Sequence, residues 1–357
     1  MHLGLGLYKN LLDNANFEFA RQAGATHLVV QLVDYVKGKK NPSLTDNYLN
    51  GWGVTDNKDK LWEYDDLNAL KKKIESHGLK WEAIENFDPG QWYDILLDGP
   101  NKKNQIENLK MTLKMIGKVG IPIVGYYFSI AGVWGWTSKN TGRGNAKSIE
   151  FDQSLIDINK PIPNGMVWNM QYDLDVDNGY IAKISRSEMW ERLKYFLDQI
   201  MPVAEENNIK LVAHPDDPPV KNMRGTARLF YRTDEYEKLL DLYDSPSNGF
   251  ELCMGTIQEM EGSNLYEFLD KYTRLDKIGY IHYRNVIGKV PHYRESFVDE
   301  GDINMIKALE ILKRNNYNGI IIPDHTPEMS CEASWHAGMA YAMGYIKGAM
   351  QNVDYNT

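Results

Sequence analysis

Four short apolar segments in the second half of the chain each end in a residue that can bind a divalent metal ion. These residues are His214 in LVAHPDDPP, Cys253 in FELCMGT, His282 in YIHYRN and Asp324 in IIIPDHTP. Imidazole, thiolate and carboxylate groups together form a suitable ligand set for a divalent first-row metal. Each group binds the ion in its deprotonated form, which the charge of the cation favours. The pattern predicts one shared metal site, provided that the fold brings the four segments together.

The elements that must position these residues are short strands that alternate with helices. Apolar runs rich in β-branched residues are followed repeatedly by stretches of helical periodicity. The predicted strands are His2–Leu7, His27–Leu32, Leu79–Ile84, Pro122–Phe128, Lys210–Ala213, Phe250–Leu252, Ile278–Ile281 and Gly319–Ile322. The predicted helices are Phe17–Ala23, Tyr64–His77, Gln105–Val119, Glu188–Asn207, Glu235–Tyr243, Asn264–Tyr272, Ile303–Asn315 and Ala333–Met350. Eight such units predict a closed (β/α)8 barrel, the TIM barrel.

An open, doubly wound sheet uses the same alternation of strands and helices. Its phosphate-binding fingerprint, GxGxxG after the first strand, is absent, because Gly4 and Gly6 have no third glycine in place. In a barrel, the C-terminal ends of the strands meet at one mouth, and neighbouring strands lie about 4.8 Å apart. The metal-binding residues at the ends of strands five to eight are therefore expected to surround a single ion.

The segment from residue 130 to residue 185 interrupts this alternation. It is rich in glycine, asparagine and tryptophan and follows the fourth predicted strand, which places it at the mouth of the barrel. A segment of this length inside a compact domain is usually a lid or a binding loop. We predict a single domain over residues 1–357 with 130–185 inserted as a lid, whose Trp134 and Trp136 contact the substrate. A surface insertion that packs aromatic rings or forms an oligomer contact is the alternative.

Other polar residues at the same strand ends indicate further roles. Arg284 has the forked donors that suit a planar carboxylate, and we predict that it acts in catalysis by binding an anionic substrate, together with Asn285. Asp216 and Asp217 are predicted to hold the metal-binding histidines in the correct tautomer.

His325 is the predicted proton-transfer residue, because an ordinary histidine pKa of ~6.5 suits either direction of transfer at neutral pH. Adjacent strand residues point to opposite faces, so Asp324 and His325 both reach the mouth only if the strand has already ended. Pro323 and Pro327 favour such an end. A role for His325 in orienting another group is the alternative.

The bulk composition limits the partners of the protein. Among 357 residues, 49 acidic and 40 basic side chains give a formal net charge of −9, which argues against general nucleic-acid binding. Cys253 and Cys331 are far apart and have no CxxC spacing, so we do not expect a disulfide framework. We expect the protein to be located in a reducing cytoplasm. The N-terminal residues lack the pattern of a signal peptide, and no segment approaches the ~18 apolar residues of a membrane helix. We expect a cytoplasmic homo-oligomer, a dimer, with no nucleic-acid or membrane partner.

Several motifs resemble those of mannonate dehydratases. They are IENFDP, YYFSIAGVWGWT, HPDDPP, GTARLF, LCMGT, HYRNV and ESFVDEGDINM, and they occur in order along nearly the whole chain. The resemblance implies a TIM barrel related to the xylose-isomerase-like enzymes, dependence on Mn²⁺ or Fe²⁺, and loss of water from D-mannonate to give 2-keto-3-deoxy-D-gluconate. It also implies His214, Cys253, His282 and Asp324 as metal ligands and His325 as the catalytic histidine.

Some positions depart from the pattern of that family. Thr326 and Pro327 follow Asp324-His325, where Gly-Arg is usual, and Trp136–Lys139 stands where an Arg-Thr pair is expected. A tyrosine that the resemblance assigns to proton transfer has only Tyr341, Tyr345 or His336 as candidate counterparts. Two other functions fit the barrel: a sugar isomerase or epimerase, whose metal sites are usually richer in carboxylates, and a non-catalytic sugar-acid binder.

Overall fold

Eight parallel strands close into a barrel, which confirms the predicted fold class. The computed structural model describes residues 1–35, 53–55, 61–173 and 175–355. The barrel strands are β1 (His2–Tyr8), β2 (His27–Gln31), β3 (Lys80–Ile84), β4 (Ile123–Tyr126), β5 (Lys210–Ala213), β6 (Asn248–Cys253), β7 (Ile278–His282) and β8 (Ile320–Ile322). Each strand pairs with its neighbours in sequence order, and β8 pairs with β1 to close the barrel.

Helices follow the strands along the chain. They are α1 (Asn14–Gln22), α2 (Tyr64–Ser76), α3 (Pro89–Leu97), α4 (Lys102–Val119), α5 (Arg186–Glu206), α6 (Glu235–Leu242), α7 (Met254–Glu259), α8 (Leu265–Arg274), α9 (Met305–Arg314) and α10 (Ser334–Tyr355). Short 3-10 turns occupy Lys9–Leu11, Arg143–Asn145 and Gln153–Leu155. In the described part of the chain, no helix is both long enough and apolar enough to cross a membrane.

The helices α3 and α7 were not among the predicted elements. Helix α3 begins with Pro89, and the side chain of Asp88 accepts a hydrogen bond from the Gly90 amide. Helix α7 has only six residues and begins directly after Cys253, so no break in composition separates it from β6. Helix α7 is too short for a helical period to be recognised in the sequence. Helix α3 is buried along its length from Pro89 to Leu96, so it has no polar face to produce such a period.

The apolar side chains of the barrel strands form two separate clusters. In β2, Leu28 and Val30 belong to the large cluster that also contains helix residues, whereas Val29 belongs to a small cluster. All members of the small cluster come from barrel strands: Val29, Ala83, Ile123, Val212, Tyr280, Ile320 and Ile322. Since successive strand residues point to opposite faces, the small cluster fills the barrel and the large one packs strands against helices.

The segment 130–185 contains strands of its own. Trp136–Lys139 pairs with Ser148–Asp152, which pairs with His292–Ser296, and this strand pairs with Asn285–Lys289. The insertion after β4 and the hairpin after β7 therefore form one four-stranded sheet. Two-residue strands form two further pairs, Met166–Val167 with Met170–Gln171 and Asn222–Met223 with Thr226–Ala227. The role of the insertion as a lid stays a prediction.

Candidate metal centre and active site

Three of the four predicted metal ligands lie together at the mouth of the barrel. Cys253 and His282 end β6 and β7 and are paired in register, and His214 follows β5 directly. One ligand atom from each of the three residues lies within 4.8 Å of the other two. Among the described residues, both ring nitrogens of His282 are buried without a hydrogen-bond partner. Two imidazoles and a thiol at these separations fit a divalent ion bound at about 2.0–2.3 Å.

Asp324 approaches the same group from β8. Its Oδ2 lies 3.4 Å from Nδ1 of His282. Strand β8 ends at Ile322, and Asp324 has a φ of 66°, a left-handed conformation that only the surrounding structure can hold in a residue other than glycine. The strand therefore ends before Asp324, and both Asp324 and His325 line the cavity.

Cys253 lies next to a cation. The Nη2 of Arg284 is 3.3 Å from Sγ, and the amide of Thr256, in the first turn of α7, is 3.5 Å from it. Burial alone would raise the pKa of Cys253, but the guanidinium of Arg284 and contacts with His214 and His282 hold this pKa well below its ordinary value. The thiolate is thus favoured, and the thiolate is the form that binds metals.

The donors of Arg284 are directed to carboxylates of the protein itself. Its Nη2 lies 2.7 Å from Asp217, its Nη1 lies 3.1 Å from Glu259, and its Nε lies 3.3 Å from Asp324. The side chain is only 2% exposed. Arg284 lines the cavity, but these contacts place its charge beside the thiolate, and its contact with a substrate carboxylate stays a prediction.

The prediction that Asp216 and Asp217 orient the metal-binding histidines is wrong. Asp216 accepts hydrogen bonds from Arg228 and from the amides of Leu229 and Phe230. Asp217 accepts hydrogen bonds from Trp136, Thr256, Arg284 and Tyr293. The Nδ1 of His214 instead lies 2.6 Å from the carbonyl oxygen of Pro215, to which it can only donate. These carboxylates therefore hold two arginines, and His214 offers its Nε2 to a ligand.

His325 forms a short contact through Nδ1 with the carboxylate of Glu295. Its Nε2 lies 3.5 Å from Asp324, and its ring lies edge-on to Trp136 at 5.5 Å between centroids. Burial lowers the pKa of His325, but the negative charges of Asp324 and Glu295 raise it to about 9. Glu295 belongs to the hairpin after β7, outside the strand ends at which the functional residues were predicted.

Two more carboxylates at the mouth also escaped the sequence analysis. The Oε1 of Glu251 lies 3.0 Å from Nε2 of His282, and Oε2 of Glu85 lies 3.8 Å from the same nitrogen. One signal for Glu251 was present in the sequence. It precedes Cys253 by two residues in one strand, so both side chains point to the same face.

The remaining predicted residues divide between the cavity and other parts of the fold. Trp136 lines the cavity, whereas Trp134 is buried against the guanidinium of Arg224, whose carbon lies 4.1 Å from the ring centroid. Asn285 is buried, and its amide bonds to the backbone of Val286 and Ile303. Among the described residues, neither Trp134 nor Asn285 belongs to the cavity lining.

The three candidates for a second proton-transfer group also lie outside the described lining of the cavity. Tyr341 is partly exposed and accepts a hydrogen bond from Arg143 at 3.3 Å. Tyr345 packs against the large apolar cluster, and Nε2 of His336 lies 2.9 Å from Oδ1 of Asn16.

The cavity at the mouth has a volume of about 280 Å³, close to the lower end of the range for small-molecule sites, roughly 300–1,000 Å³. Its aromatic lining comprises Tyr8, Tyr35, Tyr127, Phe128, Trp136, Trp168, Phe230 and Trp335. Its cationic side chains are Lys147, Arg228 and Arg284. Lys147 is paired with Glu328 at 3.5 Å, and both side chains are well exposed. The arrangement can hold a small polar molecule between a metal group, a histidine and aromatic walls.

The closed barrel and the polar group at its mouth define a protein of the TIM-barrel class with a candidate metal site. A xylose isomerase domain protein from Planctomyces limnophilus has a similar fold, with a TM-score of 0.56 at 12% identity over 99% of this chain and 98% of that one. The model of the D-mannonate dehydratase (UxuA) family matches residues 6–355, and the chain belongs to this family.

Individual relatives agree with this assignment. Mannonate dehydratase 2 of Halalkalibacterium halodurans is 31% identical over 277 residues, which cover 74% of this chain and 79% of that protein. The crystal structure of mannonate dehydratase from Streptococcus suis serotype 2 superposes with a TM-score of 0.78 at 24% identity, over 100% of this chain and 94% of that one. The protein is therefore an enzyme of the hydro-lyase class.

Proposed function

We propose that the protein is a metal-dependent dehydratase that converts D-mannonate, or a closely related hexonic acid, to 2-keto-3-deoxy-D-gluconate. Family membership supports the reaction. The observation that carries the proposal is the cluster of His214, Cys253 and His282, with Asp324 beside it and His325 on the same cavity.

His214, Cys253 and His282, with Asp324 as the fourth ligand, would hold a divalent ion. When bound, Mn²⁺ or Fe²⁺ would act as a Lewis acid for the negative charge that develops on the substrate. The unpartnered nitrogens of His282 and the lowered pKa of Cys253 support this donor set. A thiolate is a softer ligand than Mn²⁺ prefers, which favours Fe²⁺ where both are available.

The reaction removes a weakly acidic proton from C2 and a hydroxyl group from C3, so it needs groups that take and give protons. His325 would perform one of these transfers, because it lines the cavity and Glu295 holds its Nδ1, which leaves Nε2, 3.5 Å from Asp324, as the nitrogen that can exchange a proton. A positioned general acid or base typically contributes ~10²–10⁴-fold.

Lys147 is our candidate for the carboxylate of the substrate. Arg228 and Arg284 are buried and bound to Asp216 and Asp217, whereas Lys147 lies in a half-exposed pair with Glu328 on the cavity wall. An incoming carboxylate can replace Glu328 as its partner without leaving a buried charge unpaired. Trp136 and Trp168 would exclude water from the reacting carbons.

A sugar isomerase or epimerase is the second candidate, and one observation favours it. Glu85 and Glu251 lie beside His282, so the mouth is richer in carboxylates than the four predicted ligands indicate. Such an enzyme would interconvert sugars without loss of water.

The test is a screen of hexonic acids, including D-mannonate, with protein reconstituted with Mn²⁺ or Fe²⁺ and an assay for 2-keto-3-deoxy acids. We call the group of His214, Cys253 and His282 the histidine–thiolate group. We expect Cys253→Ala to lose the ion at this group, and His325→Asn to keep the ion and lose turnover. Interconversion of an aldose and a ketose without loss of water would support the second candidate. Full activity of His325→Asn would contradict its role in proton transfer.

We also propose that the enzyme acts in the cytoplasm as a homodimer. Both Cys253 and Cys331 are free, and a function for the Cys253 thiolate requires a compartment that keeps thiols reduced. Light scattering coupled to size exclusion measures the oligomeric state.

A further inference from the structure

We propose a second cation position at the mouth of the barrel, formed by Glu85, Glu251 and His282. It lies beside the histidine–thiolate group and shares His282 with it. The proposal concerns binding of a metal ion and does not depend on which sugar acid the enzyme converts.

The three side chains are arranged around a common point. One ligand atom from each lies within 4.8 Å of the other two. The Nε2 of His282 lies 3.0 Å from Glu251 Oε1, yet the direction of the contact is not that of a hydrogen bond, since this nitrogen has no hydrogen-bond partner among the described residues. Glu85 Oε2 lies 3.8 Å from the same nitrogen. Two ligands about 2.1 Å from one ion and at right angles lie about 3.0 Å apart, so these separations suit an ion between the three groups.

The two carboxylates are buried and incompletely paired. The side chain of Glu251 is fully buried, and that of Glu85 is 6% exposed. The hydroxyl of Tyr127 lies 2.8 Å from Glu85 Oε1 and 3.1 Å from Glu251 Oε1, but its one proton can serve only one of them at a time. The Oε2 atoms of both glutamates have no hydrogen-bond partner in the described structure. A buried carboxylate without a partner is costly, so the pair calls for a positive charge between its members.

The nearby cationic side chains are directed elsewhere. Arg284 contacts Asp217 and Glu259, and Arg228 contacts Asp216. Lys147, the third cationic residue of the described lining, is paired with Glu328. The imidazoles of His214 and His282 do face Glu251, at 3.8 and 3.0 Å. A histidine that binds a metal ion is neutral, so in the metal-loaded protein the charge that compensates Glu85 and Glu251 is expected to come from solution.

An independent observation points to the same space. The hydroxyl of Tyr280, a fully buried residue, makes no hydrogen bond of good geometry in the described part of the chain. A Cβ atom at Gly125 would lie 2.6 Å from Glu251 Oε2 and 2.8 Å from the Tyr280 hydroxyl. Glycine at this position lets both polar atoms, and the carbonyl oxygen of Glu85, approach the backbone of β4 closely. Tyr280 can then serve a water or an ion held beside Glu251.

The two positions differ in their donor atoms. The histidine–thiolate group contains sulfur, whereas the second position offers mainly oxygen, which suits Mn²⁺ and Mg²⁺. His282 turns Nδ1 toward Asp324 and Nε2 toward Glu251. A neutral imidazole has one free lone pair, so His282 can bind both ions only if it also releases its second ring proton to solvent. Because this proton must be lost and two cations repel, we expect one tightly bound ion and a second, weaker one.

The experiment is titration with Mn²⁺ by equilibrium dialysis and isothermal calorimetry, with anomalous diffraction from crystals soaked at saturating Mn²⁺. Wild type should show two ions per chain, the weaker one between Glu85 and Glu251. The double variant Glu85→Gln/Glu251→Gln should lose the weaker ion and keep the tight one. Cys253→Ala should lose the tight ion and keep the other.

Glu150→Gln is the matched control, because Glu150 is a buried carboxylate paired with Lys139 and His292 away from the barrel strands. It should bind both ions as wild type does, and circular dichroism should show all variants folded. The proposal would be overturned if wild type bound one ion per chain and its isotherm matched that of the double variant. A proton shared by Glu85 and Glu251 would then be the positive charge between them. Failure of the proposed function differs from this, because it would show as wild type that binds the tight ion but forms no 2-keto-3-deoxy acid from any hexonic acid.

Discussion

At the scale of single residues, the site consists of charged side chains that partners from distant parts of the chain hold in place. Glu295 holds His325 from the hairpin after β7, and Asp217 holds Arg284 from the loop after β5. A group fixed in this way keeps its position and protonation state while the charge of a neighbouring substrate changes during the reaction. The contribution of each partner can therefore be measured separately from that of the group it holds.

Glu295→Gln should lower kcat by about 10- to 100-fold and leave the metal content unchanged. The neutral amide still fills the space but no longer stabilises a positive charge on His325, whose pKa of about 9 depends partly on Glu295. The measurements are kcat and bound metal per chain. Glu150→Gln, on the paired strand Ser148–Asp152, is the control. Loss of the ion, or full kcat, would contradict this role.

Lys147→Met should raise KM for the hexonic acid by about tenfold, with a smaller change in kcat. The methionine removes the cation proposed to bind the substrate carboxylate, and Lys147 has no place in proton transfer. Lys147→Arg keeps the charge and should stay within a few-fold of wild type. An unchanged KM in Lys147→Met would show that another residue binds the carboxylate.

The residues at the strand ends could be predicted from sequence, but their partners could not. His214, Cys253, His282 and Asp324 each follow a recognisable strand, and the barrel fixes where strand ends meet. Glu295 depends on the pairing of a hairpin with an insertion more than a hundred residues earlier, which no local pattern specifies. Asp216 and Asp217 were assigned to the wrong partners for the same reason.

At the scale of the elements, contacts between helix ends stabilise the ring around the barrel. Asp270, in α8, accepts hydrogen bonds from Arg314 at the end of α9 and from Asn315 directly after it. These hydrogen bonds hold the pKa of Asp270 below its ordinary value of 3.8. The carboxylate thus links α8 to α9.

The stabilising effect of Asp270 should depend on pH. A lowered folded-state pKa means that the contribution is fully present above pH 3.8 and is lost as the pH falls through the folded-state value. Urea unfolding should show Asp270→Asn less stable than wild type at neutral pH, with the difference shrinking between about pH 4 and pH 3. Asp198→Asn, which removes a surface pair within α5, should cost less. A difference that stays constant down to pH 3 would contradict the assignment.

Helices with a clear helical period in the sequence were predicted, whereas elements whose conformation depends on tertiary contacts were not. The predicted helix Glu188–Asn207 differs from α5 by one or two residues at each end, because a capping box at Ser185 and Glu188 marks its start. Helix α3 is buried along almost its whole length and so has no polar face, and α7 has only six residues. The hairpin after β7 pairs with the insertion and not with a barrel strand. Their conformations depend on the barrel beneath them.

At the scale of the whole molecule, the predicted metal ligands lie along the second half of the barrel at its mouth. The predicted ligands come from four consecutive strand ends, β5 to β8. An ion that binds them favours the closed barrel over the unfolded chain, in which these residues lie far apart.

Removal of the metal should therefore lower the unfolding temperature. At an ion concentration 100 times Kd, binding adds about 2.7 kcal/mol to the free energy of unfolding. Calorimetry of chelated protein, before and after addition of Mn²⁺ or Fe²⁺, measures the effect. Addition of the ion should raise the unfolding temperature of Cys253→Ala by less than that of wild type. Equal unfolding temperatures with and without metal would show that no such site forms.

The sheet that joins the insertion to the hairpin has a consequence for changing the substrate. The wall residue Trp136 and the carboxylate partner of His325 stand on strands of one hydrogen-bonded sheet. Exchanging the insertion strand that carries Trp136 would therefore also disturb Glu295, which holds the proposed proton-transfer residue His325. To change the sugar acid that the enzyme accepts, we expect that the insertion 130–185 and the hairpin after β7 must be replaced together, as one cassette.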